Sequence, residues 1–162
     1  RITGINIFKS ELGLTPFQDI SDNEAINIKG KIYDGNDEPI IDAMIETWQC
    51  DANGKYSSNQ GFARIVTDLK TGEYQLKTIR PGSKINTDGS LSVSYITFWI
   101  VARGMNRPLI TRMYFLENDL KNDLMLNNIK NEDRLNTLIP YTEDNKNFIF
   151  NIYLQGKKET IF

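Results

Sequence analysis

Apolar and polar residues alternate with period two in one short segment after another, and this recurrence limits what the chain can fold into more than any single motif does. The segment "INIKGKIYD" places Ile26, Ile28 and Ile32 on one face and Asn27, Lys29 and Lys31 on the other. After the turn cluster "DGNDEP", the run "DAMIETWQCD" sets Ala43, Ile45 and Thr47 against Met44, Glu46, Trp48 and Cys50. Further strands are expected over residues 62–67 and within "TGEYQLKTIRPG", "PLITRMYF" and "NFIFNIYLQG", with turns at Asn53-Gly54, Pro81-Gly82 and Asp88-Gly89. About seven short strands with a turn roughly every ten residues point to an antiparallel β-sandwich. Only residues 117–133 favour a helix, through Leu120, Leu124 and Ile129, and the asparagines there keep it weak. The expected fold class is therefore all-β: a single-domain antiparallel β-sandwich with one short helical or irregular excursion. Residues 1–25 are expected to form an N-terminal arm, and 26–162 the sandwich domain.

One strand departs from simple alternation. In "LSVSYITFWIVARG", Tyr95, Thr97 and Trp99 share one face while Ile96, Phe98 and Ile100 share the other. A strand this heavy on both sides fits between the sandwich core and neighbouring protein, and it ends on Arg103 and Gly104.

Composition excludes several kinds of chemistry. The 162 residues contain no histidine, so the chain alone can build neither a Ser-His-Asp nor a Cys-His site, nor any histidine-ligated metal centre. A formal net charge of -2 with scattered Lys and Arg lacks the clustered basic surface of a nucleic-acid binder. No apolar run approaches the roughly 20 residues that span a bilayer, and "RITGINIF" lacks a signal-peptide core. The single Cys50 permits no internal disulfide, so the expected location is the cytoplasm. Among individual residues, Glu46 lies on an apolar strand, where a carboxylate needs a partner such as Arg64 or Arg112. Tyr56 follows a turn and Arg103 closes a strand; spacing alone reads them as a packed aromatic and a solvated charge.

The ordered segments "GKIYDGNDEPIIDAMIETWQCDANGKY", "TGEYQLKTIRPG", "VARGMNRPLITRMYF" and "LQGKKETIF" resemble the intradiol ring-cleavage dioxygenases, specifically the protocatechuate 3,4-dioxygenases. The resemblance covers about Ile28 to Phe162 and implies a β-sandwich. It also implies a pair of homologous subunits, of which the beta subunit holds Fe(III) through two tyrosines and two histidines; hard phenolates suit that ion. Of the four ligand positions, Gly54-Lys55-Tyr56 keeps the first tyrosine. Lys84 stands where a second tyrosine follows Pro-Gly-x, and Tyr95 and Thr97 stand where the family has His-x-His. Metal binding by this chain is not expected. Val101-Ala102-Arg103-Gly104, Thr111-Arg112 and the C-terminal segment are similar to the family's alpha chains.

The resemblance implies an alpha-type, non-iron-binding subunit that is inactive alone and has no catalytic residue of its own. It would form part of an intersubunit cavity in which protocatechuate is cleaved by O2 to 3-carboxy-cis,cis-muconate, a step of aromatic catabolism in the beta-ketoadipate pathway. Arg103 would face the substrate carboxylate. Of the alpha chains' N-terminal Thr-x-Gly-Pro-Tyr segment, which also touches the cavity, Thr3 and Gly4 remain, with Ile5 and Asn6 in place of Pro and Tyr. The implied partners are an iron-binding beta subunit within a higher hetero-oligomer, the aromatic substrate and O2, with no nucleic acid and no membrane. The alternative is a non-enzymatic β-sandwich binding or structural module derived from the same fold.

Overall fold

The computed structural model describes residues 15–115 and 123–161. Among these residues, eleven strands and two short helices run in the order β1 (Ala25–Tyr33), β2 (Met44–Trp48), β3 (Phe62–Val66), β4 (Glu73–Ile79), β5 (Lys84–Ile85), β6 (Leu91–Ser92), β7 (Tyr95–Val101), β8 (Leu109–Tyr114), α1 (Leu124–Asn127), α2 (Glu132–Asn136), β9 (Tyr141–Thr142), β10 (Asn147–Ile149) and β11 (Ile152–Tyr153). One sheet is centred on β1, with β4 antiparallel on one side and β10, then β11, on the other; β9 continues beyond β10. The second sheet has the order β3-β2-β7-β8 and is antiparallel throughout. The fold is the expected all-β sandwich. Among the described residues, no helix is long and apolar enough to cross a membrane.

The alternation read from the sequence becomes the division between core and surface. Ile26, Ile28 and Ile32 meet Ile45, Ile65, Ile96, Phe98, Ile100 and Met113 in one buried cluster between the sheets. At its centre Phe98 lies against Tyr74 and Phe150, with ring centroids 6.0 and 5.3 Å apart. Tyr74 carries a polar group into this core, which is costly unless it is paired. Its hydroxyl donates to the carbonyl oxygen of Phe150 at 2.5 Å.

That carbonyl marks where the structure departs from the sequence reading. "NFIFNIYLQG" reads as one strand, yet it breaks at Phe150-Asn151 into β10 and β11, both parallel to β1. Asn151 Oδ1 accepts the amide of Lys31 at 3.0 Å, replacing a ladder bond at the break. Gly30 makes this crossing possible, because a Cβ there would stand 1.9 Å from the Phe150 oxygen. Leu91 and Ser92 likewise do not start the long strand but fold back on Lys84 and Ile85 as a small hairpin of β5 and β6, so β7 begins at Tyr95 rather than Leu91.

Of the helical excursion expected over 117–133, residues 117–122 with Leu120 lie outside the described residues; the remainder holds α1, and α2 begins at its end. Asp123 caps α1 by accepting from the amides of Met125 and Leu126, while its second oxygen accepts from Val93 at 3.0 Å. Asn128 ends α1 and Asn131 caps α2, as expected of side chains that compete with helix propagation. Leu126 and Leu138 bury against Val93 and Tyr114, closing the sandwich at the Tyr95 end of β7.

Gly30→Ala should lower the unfolding free energy by about 2 kcal/mol or more, since the new methyl group has backbone in its way. Tyr74→Phe, which leaves the Phe150 carbonyl without its donor, should cost about 1–3 kcal/mol. Urea unfolding of each variant against the parent measures both.

Candidate functional site

The four positions singled out by motif are assembled by two loops and one strand. In the first loop, Asp51 Oδ1 accepts from the amides of Asn53 and Lys55, both at 2.9 Å, and shapes the turn that presents Tyr56. Gly54 sits at φ +76°, and a Cβ there would lie 2.4 Å from the Ser83 oxygen. The Gly-x-Tyr spacing thus reflects a close approach between this loop and the one carrying Lys84. The amide of Gly82 donates to Asp51 O at 2.9 Å and fixes the second loop against the first. On the strand, Tyr95 and Thr97 point outward, two residues apart, because Ile96 and Phe98 are fully buried.

Three of these side chains meet directly. The Tyr56 hydroxyl donates to that of Tyr95 at 3.3 Å. Lys84 Nζ lies 5.4 Å from the centre of the Tyr56 ring. Thr97 stands in register between Trp48 of β2 and Arg112 of β8 on the same outward face, and Trp48 stacks on Tyr56 at 5.9 Å.

Arg112 was a candidate partner for Glu46, but it belongs to this cluster. Its guanidinium carbon lies 4.4 Å from the Tyr95 ring centre and its Nη1 donates to the Tyr114 hydroxyl at 3.2 Å. Glu46 pairs instead with Arg64, directly across β2 and β3 in register, with Nε donating at 2.8 Å. Cys50, placed with the outward residues by alternation, is buried just beyond the end of β2.

The donor set does not fit a ferric ion. No imidazole exists in the chain. Burial, then the hydrogen bond with Tyr95, pushes the Tyr56 phenol well above the ordinary tyrosine value, away from the phenolate that Fe(III) requires. Lys84 adds a positive charge at a ligand position; a unit and a triple charge about 5 Å apart repel by roughly 10 kcal/mol at an effective dielectric constant of about 20. Among the described residues, no three His, Cys, Asp or Glu side chains gather in a way that could hold a metal ion.

Arg103 lies elsewhere. Ala102 to Met105 form a turn closed by the Met105 amide donating to Ala102 O at 3.2 Å, with Gly104 at φ +86°. The glycine after the arginine is what this turn requires at its third position. Tyr95 and Arg103 flank opposite ends of β7, roughly 20 Å or more apart at about 3.3 Å per strand residue. Arg103 Nη2 donates to Asp42 Oδ2 at 2.9 Å while the side chain stays 86% exposed. Asp42 carried no signal in the sequence; only the placement of its loop beside the turn reveals the pairing. Thr3 and Gly4 lie outside the described residues.

This geometry can be set beside known proteins. A model of the dioxygenase family matches residues 9–156. The chain belongs to the intradiol dioxygenase family. It is 34% identical over 151 residues to the protocatechuate 3,4-dioxygenase alpha chain of Pseudomonas putida, an alignment spanning 86% of this chain and 75% of that one. Its identity to the beta chain of the Burkholderia cepacia enzyme is 27%, over 57% of this chain and 45% of that one. The crystal structure of catechol 1,2-dioxygenase from Pseudomonas arvilla C-1 superposes with a TM-score of 0.69 at 18% identity and shares the fold. This dioxygenase-family chain covers 88% of its own length in that match but only 55% of the catechol enzyme.

Tyr56 and Tyr114 both hold their protons more tightly when folded than an ordinary tyrosine of pKa 10, in each case chiefly through burial. Their stabilising contribution is therefore complete below pH 10 and is lost as pH rises through the elevated folded values. Conformational stability should fall steadily above pH 10, and Tyr56→Phe should flatten that fall. Urea midpoints across the alkaline range, parent against variant, measure the slope.

Proposed function

We propose that this chain is the iron-free, alpha-type subunit of a two-chain protocatechuate 3,4-dioxygenase. In this reading it walls a cavity in which the partner's ferric site, given O2, opens the ring of protocatechuate to 3-carboxy-cis,cis-muconate. The observation that carries the reading is the separation along β7. The residues at the ligand positions reject Fe(III), while Arg103 stands at the far end, exposed and too distant to serve that cluster. A guanidinium so placed serves a site on another chain. The names of the related alpha and beta chains support the same pairing.

The chemistry assigned to this chain is recognition. A guanidinium stays charged and can present two parallel N–H donors to a carboxylate. Asp42 holds Arg103 through Nη2, and such an exposed pair is worth only about 0–1 kcal/mol, so an arriving carboxylate can compete for the guanidinium. On the outward face of the second sheet, toward this end of β7, Val66 and Ile110 are 39% and 54% exposed and offer apolar surface for a partner to cover. The bond cleavage belongs to the partner's iron, and no step of it is assigned to residues of this chain.

Co-expression with a homologous chain that carries Pro-Gly-x-Tyr and His-x-His should give a coloured, iron-containing complex. A stable colourless monomer that ignores such a partner would overturn the assignment in favour of a non-enzymatic module. Within the complex, Arg103→Ala should lower kcat/KM for protocatechuate by roughly 10- to 100-fold, the worth of a hydrogen bond between charged groups. Iron content and assembly should stay unchanged. Steady-state constants equal to the parent's would refute the role of Arg103.

A further inference from the structure

The ligand positions do more than fail to hold a cation. Two positive side chains, Lys84 and Arg112, flank the hydrogen-bonded pair of hydroxyls on Tyr56 and Tyr95, one lying over each ring. Among the described residues, neither cation has a carboxylate within ion-pair distance. The nearby acid, Asp123, is 2% exposed and engages the amides of Val93, Met125 and Leu126, so it is committed to the backbone. Two cations without an ion-pair partner among the described residues, beside the Tyr95 hydroxyl, favour a negative ligand, and the same charges that repel iron attract it.

We infer that Tyr56, Lys84, Tyr95 and Arg112 form a binding site for a small carboxylate. Two features favour a carboxylate on an apolar skeleton over a bare inorganic ion. Trp48 stacks on Tyr56 and leans on Phe62, which provides an aromatic wall beside the cations. Arg112 is already turned toward Tyr114, so one edge of its guanidinium is engaged and the remaining donors suit a single oxyanion. The Tyr56 hydroxyl donates to that of Tyr95, so the ligand's oxygens would accept from the Tyr95 hydroxyl and from Lys84 and Arg112, with its carbon frame against Trp48. The site uses only residues of this chain and lies at the opposite end of β7 from Arg103, so it stands independently of the partner reading.

Benzoate titrated into the full chain at constant ionic strength, followed by backbone amide chemical shifts, tests the site. Saturable shifts are expected at Tyr56, Lys84 and Tyr95. Lys84→Gln, on an exposed side chain that leaves the core intact, should weaken binding about threefold, and the double variant with Arg112→Gln about tenfold or more. Lys29→Gln, at an exposed position of β1 in the other sheet, should leave the affinity unchanged. Absence of saturable shifts at these residues would overturn the proposal. So would an affinity unaltered by Lys84→Gln, a result that stays readable if the double variant does not fold.

Discussion

The contact of Phe98 with Tyr74 and Phe150 fixes the geometry on which everything functional depends. Tyr74 comes from β4, Phe150 from the break between β10 and β11, and Phe98 from the opposite sheet, so three distant segments converge on one point. The buried Tyr74 hydroxyl is satisfied only if the Phe150 carbonyl turns inward, and that carbonyl fits only above a residue without a Cβ. With Phe98 pinned inward, period two sends Tyr95 and Thr97 outward and ends β7 at the turn carrying Arg103. A slip of one residue would bury the polar face and expose the core face, so the register is strongly specified. The positions of the two candidate sites are thus consequences of core packing.

The cluster at the start of β7 shows how a scaffold can keep a site's geometry while reversing its charge preference. The loop approach at Gly54 and Ser83 holds the positions of Tyr56 and Lys84 together whatever the side chains are. A phenolate in place of Lys84 would draw a hard cation; an ammonium there draws an anion and lies on the face of the neighbouring ring, an arrangement favourable by itself. The phenol of Tyr56 follows suit: stacked against Trp48 and bonded to another hydroxyl, it keeps its proton and donates a hydrogen bond to Tyr95.

Most of the strand pattern was legible because one face of each strand is buried, and burial imposes the period of two. Ile26, Ile28 and Ile32, and Ala43, Ile45 and Thr47, fell on the core side as their spacing required. The break at Phe150 was not legible, since alternation continues through it and only the inward carbonyl and Gly30 reveal it. The two short helices were half legible. The asparagines there signalled weakness, but their work as caps depends on where the backbone turns. Glu46 needed an arginine, and composition offered two; direct register across β2 and β3 chose Arg64. The candidate site was visible only through the resemblance in motif, because Tyr56, Lys84 and Tyr95 are far apart in sequence. Trp48 and Arg112 joined it through sheet register, and Asp42 joined Arg103 through loop placement, neither of which a linear pattern carries.

The two arginines at opposite ends of β7 are held in different ways. Arg112 lies over Tyr95 and is bonded to Tyr114, so moving it would break a stacking contact and a hydrogen bond together. It is suited to a fixed site with a ligand of its own. Arg103 is held by one exposed ion pair on a turn whose conformation a glycine sustains, so its guanidinium can reorient at little cost. Such a side chain is useful where the ligand arrives bound to something else and the arginine must adjust to it. A seven-residue strand keeps these two behaviours apart, which lets the residues at one end change in chemistry without disturbing the turn at the other.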